Sequence, residues 1–128
     1  MSEKKNLCLD FDGVIHSYFS GWKGIDIISD PPVQGVFEFL EKANQYFNIY
    51  VYSSRSEEDA GIEAMKKYIQ KEYTKWLKNS NKESVDIKII FARKKPPAFL
   101  YIDDRGFTFT GTWPDVEELL KFKSWVEK

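Results

Sequence analysis

The stretch Asn6-Leu7-Cys8-Leu9-Asp10-Phe11-Asp12-Gly13 decides the fold. Asn6 to Phe11 is a short, mostly apolar run, and it ends in two carboxylates and a glycine. A run of that length closed by turn residues reads as a buried strand that opens into a turn. Three more runs read the same way: Asn48 to Ser53 (NIYVYS), Asp86 to Phe91 (DIKIIF) and Phe99 to Asp103 (FLYID). Phe107 to Thr110 is a candidate short fifth strand.

Helical patterns fill the gaps. Asp30-Pro31-Pro32 reads as an N-cap followed by proline at the first helical position. Val33, Val36, Phe37, Leu40, Ala43 and Phe47 follow at helical spacing. Ser56 and Asp59 make an approximate capping box for a long helix ending near Asn79. Its Ile62, Met65, Ile69, Tyr73 and Trp76 fall within an arc of roughly 80°. Thr112, Pro114 and Asp115 open a last helix with Val116, Leu119, Leu120 and Val126 as its stripe. Val14 to Ser29 has no clean period and reads as a hairpin-like excursion. Alternating strands and helices predict an α/β fold, a Rossmann-like, mainly parallel sheet with helices on both faces. Ligands bind such sheets beyond the carboxyl ends of the strands, where the notable polar residues of this chain lie.

Composition narrows the class. The chain has 128 residues, 42% of them hydrophobic and 16% aromatic, which suits one globular domain spanning 1–128 and excludes a disordered chain. Its 19 basic and 20 acidic residues leave a net charge of −1. That disfavours binding to nucleic acid by bulk electrostatics, so such a partner is allowed but not indicated. The single cysteine, Cys8, can form no internal disulfide and no Cys/His zinc pattern; it reads as a core residue. No apolar run approaches a membrane span, and the N-terminus does not read as a signal peptide. The expectation is a cytoplasmic protein with no membrane partner. Oligomeric state is not legible.

Four strand ends carry the chemistry. Side chains alternate along a strand, so Asp10 and Asp12 are expected to point the same way. Two carboxylates at one strand tip repel unless a hard cation such as Mg²⁺ neutralises them; in an ordinary turn the same aspartates would cap backbone amides. Gly13 allows the turn. Asp103-Asp104 end the fourth strand and add acidic oxygens for the same cation, though such a pair also occurs in plain turns. Ser53-Ser54-Arg55 follow the second strand. There a hydroxyl suits a phosphoryl oxygen and equally suits a helix start. Arg55 either forks onto phosphate or pairs with Asp59 or a strand-end acid. Lys94-Lys95-Pro96-Pro97 put a lysine on a stiffened loop, where it balances anionic charge or simply faces solvent.

In this order, Asp10-x-Asp12-Gly13-Val14, then Ser53, then Lys95 before Pro96, then Ile102-Asp103-Asp104-Arg105, the chain resembles the haloacid dehalogenase superfamily of phosphohydrolases. The likeness runs from Leu7 to about Trp113. It implies a Mg²⁺-dependent phosphatase with Asp10 as nucleophile and aspartyl-phosphate acceptor, and Asp12 as general acid and base. It further implies Mg²⁺ between Asp10, the backbone carbonyl of Asp12 and Asp103, with Asp104 helping. Ser53 would bind the phosphoryl group, and Lys95, favoured over Lys94 because it directly precedes Pro96, would stabilise the charge. The gaps after Asp12 and Ser53 are too short for a large cap, which implies a capless member with Val14 to Ser29 as a flap and a phosphorylated small molecule or macromolecule as substrate. His16 and Trp22 in that flap are open between substrate contact and packing. Two other readings stand beside it. A receiver domain keeps its phosphoacceptor at the end of the third strand, where this chain has Phe91-Ala92-Arg93. A non-catalytic nucleotide- or nucleic-acid-binding module would use the same scaffold. Lys67, Lys71, Lys75, Lys78 and Lys82 are better explained as a solvated helix face than as a nucleic-acid contact.

Overall fold

The computed structural model describes residues 3–127. In chain order the elements are β1 (Lys5–Leu9), α1 (Val36–Tyr46), β2 (Phe47–Val51), a 3₁₀ turn (Ser54–Glu57), α2 (Asp59–Ser80), β3 (Ile89–Phe91), β4 (Leu100–Ile102) and α3 (Val116–Leu119). The four strands form one parallel sheet in the order β3-β2-β1-β4. The expected α/β class and parallel sheet are present. Phe107 to Thr110 is not a strand, and the last helix is only four residues long.

One face of the sheet carries the core. Leu7 and Leu9 of β1 and Ile49 and Val51 of β2 alternate onto it, and Ile89, Phe91 and Ile102 join from the outer strands. Phe37, Leu40 and Ala43 of α1 and Ile62 and Met65 of α2 cover that face. The strand order explains why both helices share it. Two crossovers of the same hand, stepping the same way from β1 to β2 to β3, put their connections on one side.

The expectation of helices on both faces is therefore corrected. The second face presents Cys8, Tyr50, Ile90 and Tyr101, which lie side by side in register. Ile90 is 51% and Tyr101 41% exposed. The β3–β4 connection crosses this face without a helix, and the Tyr101 hydroxyl donates to the carbonyl of Pro96. α3 has no buried residue and covers neither face.

The start of α1 also differs from expectation. Pro31 and Pro32 lie in an extended segment: the Ser17 amide donates to the Pro31 carbonyl, and the Val33 amide to the Ile15 carbonyl. This short antiparallel pairing closes the neck of the Val14–Ser29 excursion. Asp30 caps no helix, because its carboxylate accepts from the amide and hydroxyl of Ser20. α1 begins after Gly35, which sits at φ 87°. The long helix is present, but Glu58 stands at its N-cap and the expected Ser56–Asp59 box is not formed, because the Ser56 hydroxyl accepts from the Ser53 amide; Asn81 closes it in the left-handed region at φ 53°. No helix among the described residues is long and apolar enough to cross a membrane.

Candidate active site

Asp10 immediately follows β1, and its amide extends the ladder by donating to the carbonyl of Ile102. That bond fixes Asp10 beside the end of β4, where Asp103 and Asp104 follow. One carboxylate oxygen from each of Asp10, Asp103 and Asp104 lies within 4.8 Å of the others. Residues some ninety positions apart thus meet because their parallel strands are neighbours. Gly13 closes the cluster from above. It adopts φ 83°, and a Cβ there would stand 2.1 Å from Oδ2 of Asp104, so the turn needs glycine for both reasons.

Crowding has an electrostatic consequence. Burial is the first cause that lifts Asp10, and repulsion from Asp103 and Asp104 adds to it. The amide of Phe11, donating at 2.7 Å, pulls the other way. The net result holds Asp10 up to about 7. Burial and then the charge of Asp103 also raise Asp104. Three carboxylates arranged in this way fit a hard divalent cation with oxygen ligands, which would remove the repulsion.

The carboxylate of Asp12 stands outside that cluster, against the expectation that it points the same way as Asp10. Alternation holds only inside a strand, and the chain bends at Phe11, whose carbonyl gathers the amides of Val14, Ile15 and His16. Asp12 is turned to Arg55 instead. Nε of Arg55 donates to Oδ2 at 2.9 Å and to Oδ1 at 3.2 Å, and its terminal nitrogen reaches Oδ1 at 3.2 Å. Nδ1 of His16 lies 2.9 Å from the same Oδ1. The Asp12 carboxylate expected as a metal ligand is therefore not among the oxygens that converge with Asp10, Asp103 and Asp104.

Arg55 is fully buried and makes no fork toward open space. It also donates to the carbonyls of Gly24 and Ile25, both at 2.8 Å, tying the excursion to the sheet end. Asp59, the other partner considered for Arg55, pairs with Arg93. His16 is buried. Its Nε2 accepts from the Asp30 amide at 3.1 Å, so Nδ1 carries the proton and donates to Asp12. Only the rarity of a single histidine marked it in the sequence; its partners come from the bend.

Ser53 is buried and caps the 3₁₀ turn. Its Oγ accepts from the Arg55 amide, and its own amide donates to Oγ of Ser56. The hydroxyl proton of Ser53 remains to be donated. Ser54 is exposed. Lys95 is exposed, with Nζ 4.6 Å from the centre of the Tyr101 ring on the second sheet face. The charge of Lys95 is felt at Cys8, as are those of Asp10 and Asp103.

Sequence reasoning passed over Tyr18. It adopts φ 65°, which a bulky residue rarely does. Its ring meets His16 edge-on. Burial raises its hydroxyl pKa, and the charge of Asp12 raises it further. No pattern of residue types signals such a conformation.

Compared with known proteins, the chain matches no family model, no curated protein and no solved structure.

Proposed function

We propose that the protein is a phosphomonoester hydrolase that uses Mg²⁺ and works through Asp10. The observation that carries this reading is the convergence of Asp10, Asp103 and Asp104 at the carboxyl ends of two neighbouring parallel strands. A divalent cation held there would supply charge neutralisation for the carboxylates and for the phosphoryl oxygens.

The chain's own groups then divide the work. An oxygen of Asp10 forms a bond to phosphorus as the bond from phosphorus to the ester oxygen breaks. The leaving oxygen takes a proton from Asp12, which later removes one from the water that releases phosphate and restores Asp10. Within Asp12, Oδ1 already accepts from His16 and Arg55, while Oδ2 accepts one bond, so Oδ2 is the oxygen left to exchange a proton with the leaving oxygen and the water. Arg55 and His16 aim it. The hydroxyl of Ser53 donates to a phosphoryl oxygen. Lys95 would balance the anionic charge.

The test is phosphate release from a panel of phosphomonoesters with Mg²⁺, repeated with EDTA. Release that depends on the cation supports the reading, and none from any ester contradicts it. A second reading, a module that binds a phosphorylated nucleotide or nucleic acid without turnover, is favoured by the engagement of Asp12 with Arg55. It predicts ligand binding without release and a steep salt dependence.

A further inference from the structure

We propose that Trp22 is a stacking platform for a flat ring on the leaving group, and that the substrate class is a nucleoside monophosphate. This deepens the phosphohydrolase reading and rests on it for the position of the phosphate.

Trp22 is 50% exposed, yet it is held in place. The guanidinium of Arg55 lies 4.6 Å from the centre of its ring. Arg55 itself is fully buried, paired to Asp12 and bonded to the carbonyls of Gly24 and Ile25. The indole therefore rests on a cation that is anchored on three sides. Gly21 at φ 75° and Gly24 at φ 146° flank it and fold the tip of the excursion over Arg55. An exposed aromatic side chain ordinarily loses rotamer freedom when a ligand arrives. Here that loss has been taken already, which favours binding.

The stack commits one face of the indole to the guanidinium and leaves exposed area for a second flat partner. Base–aromatic stacking serves any nucleobase, because every base has a π-face. Spacing selects the class. Trp22 and the Asp12 carboxylate are held by the same Arg55, so a ring resting on the indole and a leaving oxygen at Asp12 fit one ligand whose two ends are joined by a short linker. A ribose is such a linker. An aryl phosphate carries its ring directly on the ester oxygen without that linker, and a glycerol phosphate has no ring. The net charge of −1 sets a single nucleotide above a long strand, since a polyanion gains little from a neutral surface.

The experiment is a calorimetric titration of the full chain with adenosine 5′-monophosphate and, separately, with glycerol phosphate and p-nitrophenyl phosphate. Ca²⁺ replaces Mg²⁺ so that the ligand is not consumed. The nucleotide is expected to bind at least about fivefold tighter than glycerol phosphate. Trp22→Leu should bring the two to about equality, and Trp22→Phe should keep most of the preference. A wild-type ratio near one overturns the proposal without any variant, as does a preference that survives Trp22→Leu. Phosphate release in Mg²⁺ is measured in parallel. Release from none of the three esters defeats the phosphohydrolase reading while a Trp22-dependent affinity still stands. Equal release from all three with no dependence on Trp22 defeats the platform alone.

Discussion

Asp10 sets the behaviour of the site through its proton. Its folded value of about 7 lies above the 3.8 of an ordinary aspartate. Between those values the unfolded chain has lost a proton that the folded chain keeps. The stability contributed by protonated Asp10 is therefore complete below the lower value and is lost as pH rises through the upper one. In metal-free buffer, denaturant midpoints should fall over that window, and Asp10→Asn should flatten the fall. A cation needs the deprotonated carboxylates, so Mg²⁺ affinity measured by calorimetry should climb over the same range. Arg55 offers a second test. Removing it leaves the Asp12 carboxylate, 12% exposed, without its fork, and breaking a buried pair from one side costs about 3–5 kcal/mol. Urea unfolding of Arg55→Ala should show a loss of that order. Arg55→Lys should recover little, because an ammonium cannot bridge both oxygens while holding Gly24 and Ile25.

At the scale of elements, the turn between β2 and α2 packs too closely on the start of α2 to admit a side chain there. Gly61 lies in the first turn of α2, and a Cβ there would stand 2.0 Å from the carbonyl oxygen of Arg55. Alanine is the better helix former by about 1 kcal/mol, yet Gly61→Ala should lower the melting temperature, because the helix must retreat from the segment that positions Arg55. A rise in melting temperature would contradict this. Three strand ends were legible in the sequence because the apolar run stops at a polar residue, Asp10, Ser53 or Asp103, and the neighbouring parallel strands β1 and β4 bring Asp10 to Asp103 and Asp104. The direction of Asp12 was not legible. It depends on the bend at Phe11, and no alternation rule extends past a strand's last residue. The start of α1 was misread for a similar reason: Pro31 and Pro32 fit a helix start locally, but Ile15 and Ser17, distant in sequence, pair with that segment.

For the whole molecule, the accessible surface is 9066 Å², against about 7,100 Å² for a typical folded monomer of this mass. The excess has a location. Phe107, Phe109, Trp113, Val116 and Leu120 are all exposed, and the second sheet face is covered by a loop alone. Of the expected stripe of the last helix, Val116, Leu119 and Leu120 are exposed, and Val126 lies beyond the helix. Hydrogen exchange should therefore find the slowest amides in β1, β2, α1 and α2 and the fastest in 106–121, where few backbone bonds are buried. Uniform protection would contradict that division. The C-terminal segment still reaches the site: the Trp125 indole donates to the carbonyl of Gly13 at 2.6 Å. The excursion, the acidic cluster and the chain end thus share one turn, and Mg²⁺ bound there should raise the melting temperature, reversibly with EDTA.

The central claim is that Asp10 takes the phosphoryl group. It is tested most directly by incubating the protein with a hydrolysable phosphomonoester and Mg²⁺, quenching in acid, and locating any added phosphoryl mass by peptide mass spectrometry. The account predicts the label on the peptide containing Asp10, and neither label nor phosphate release from Asp10→Asn. Phosphate release that persists in Asp10→Asn, or a label on any other residue, would contradict it.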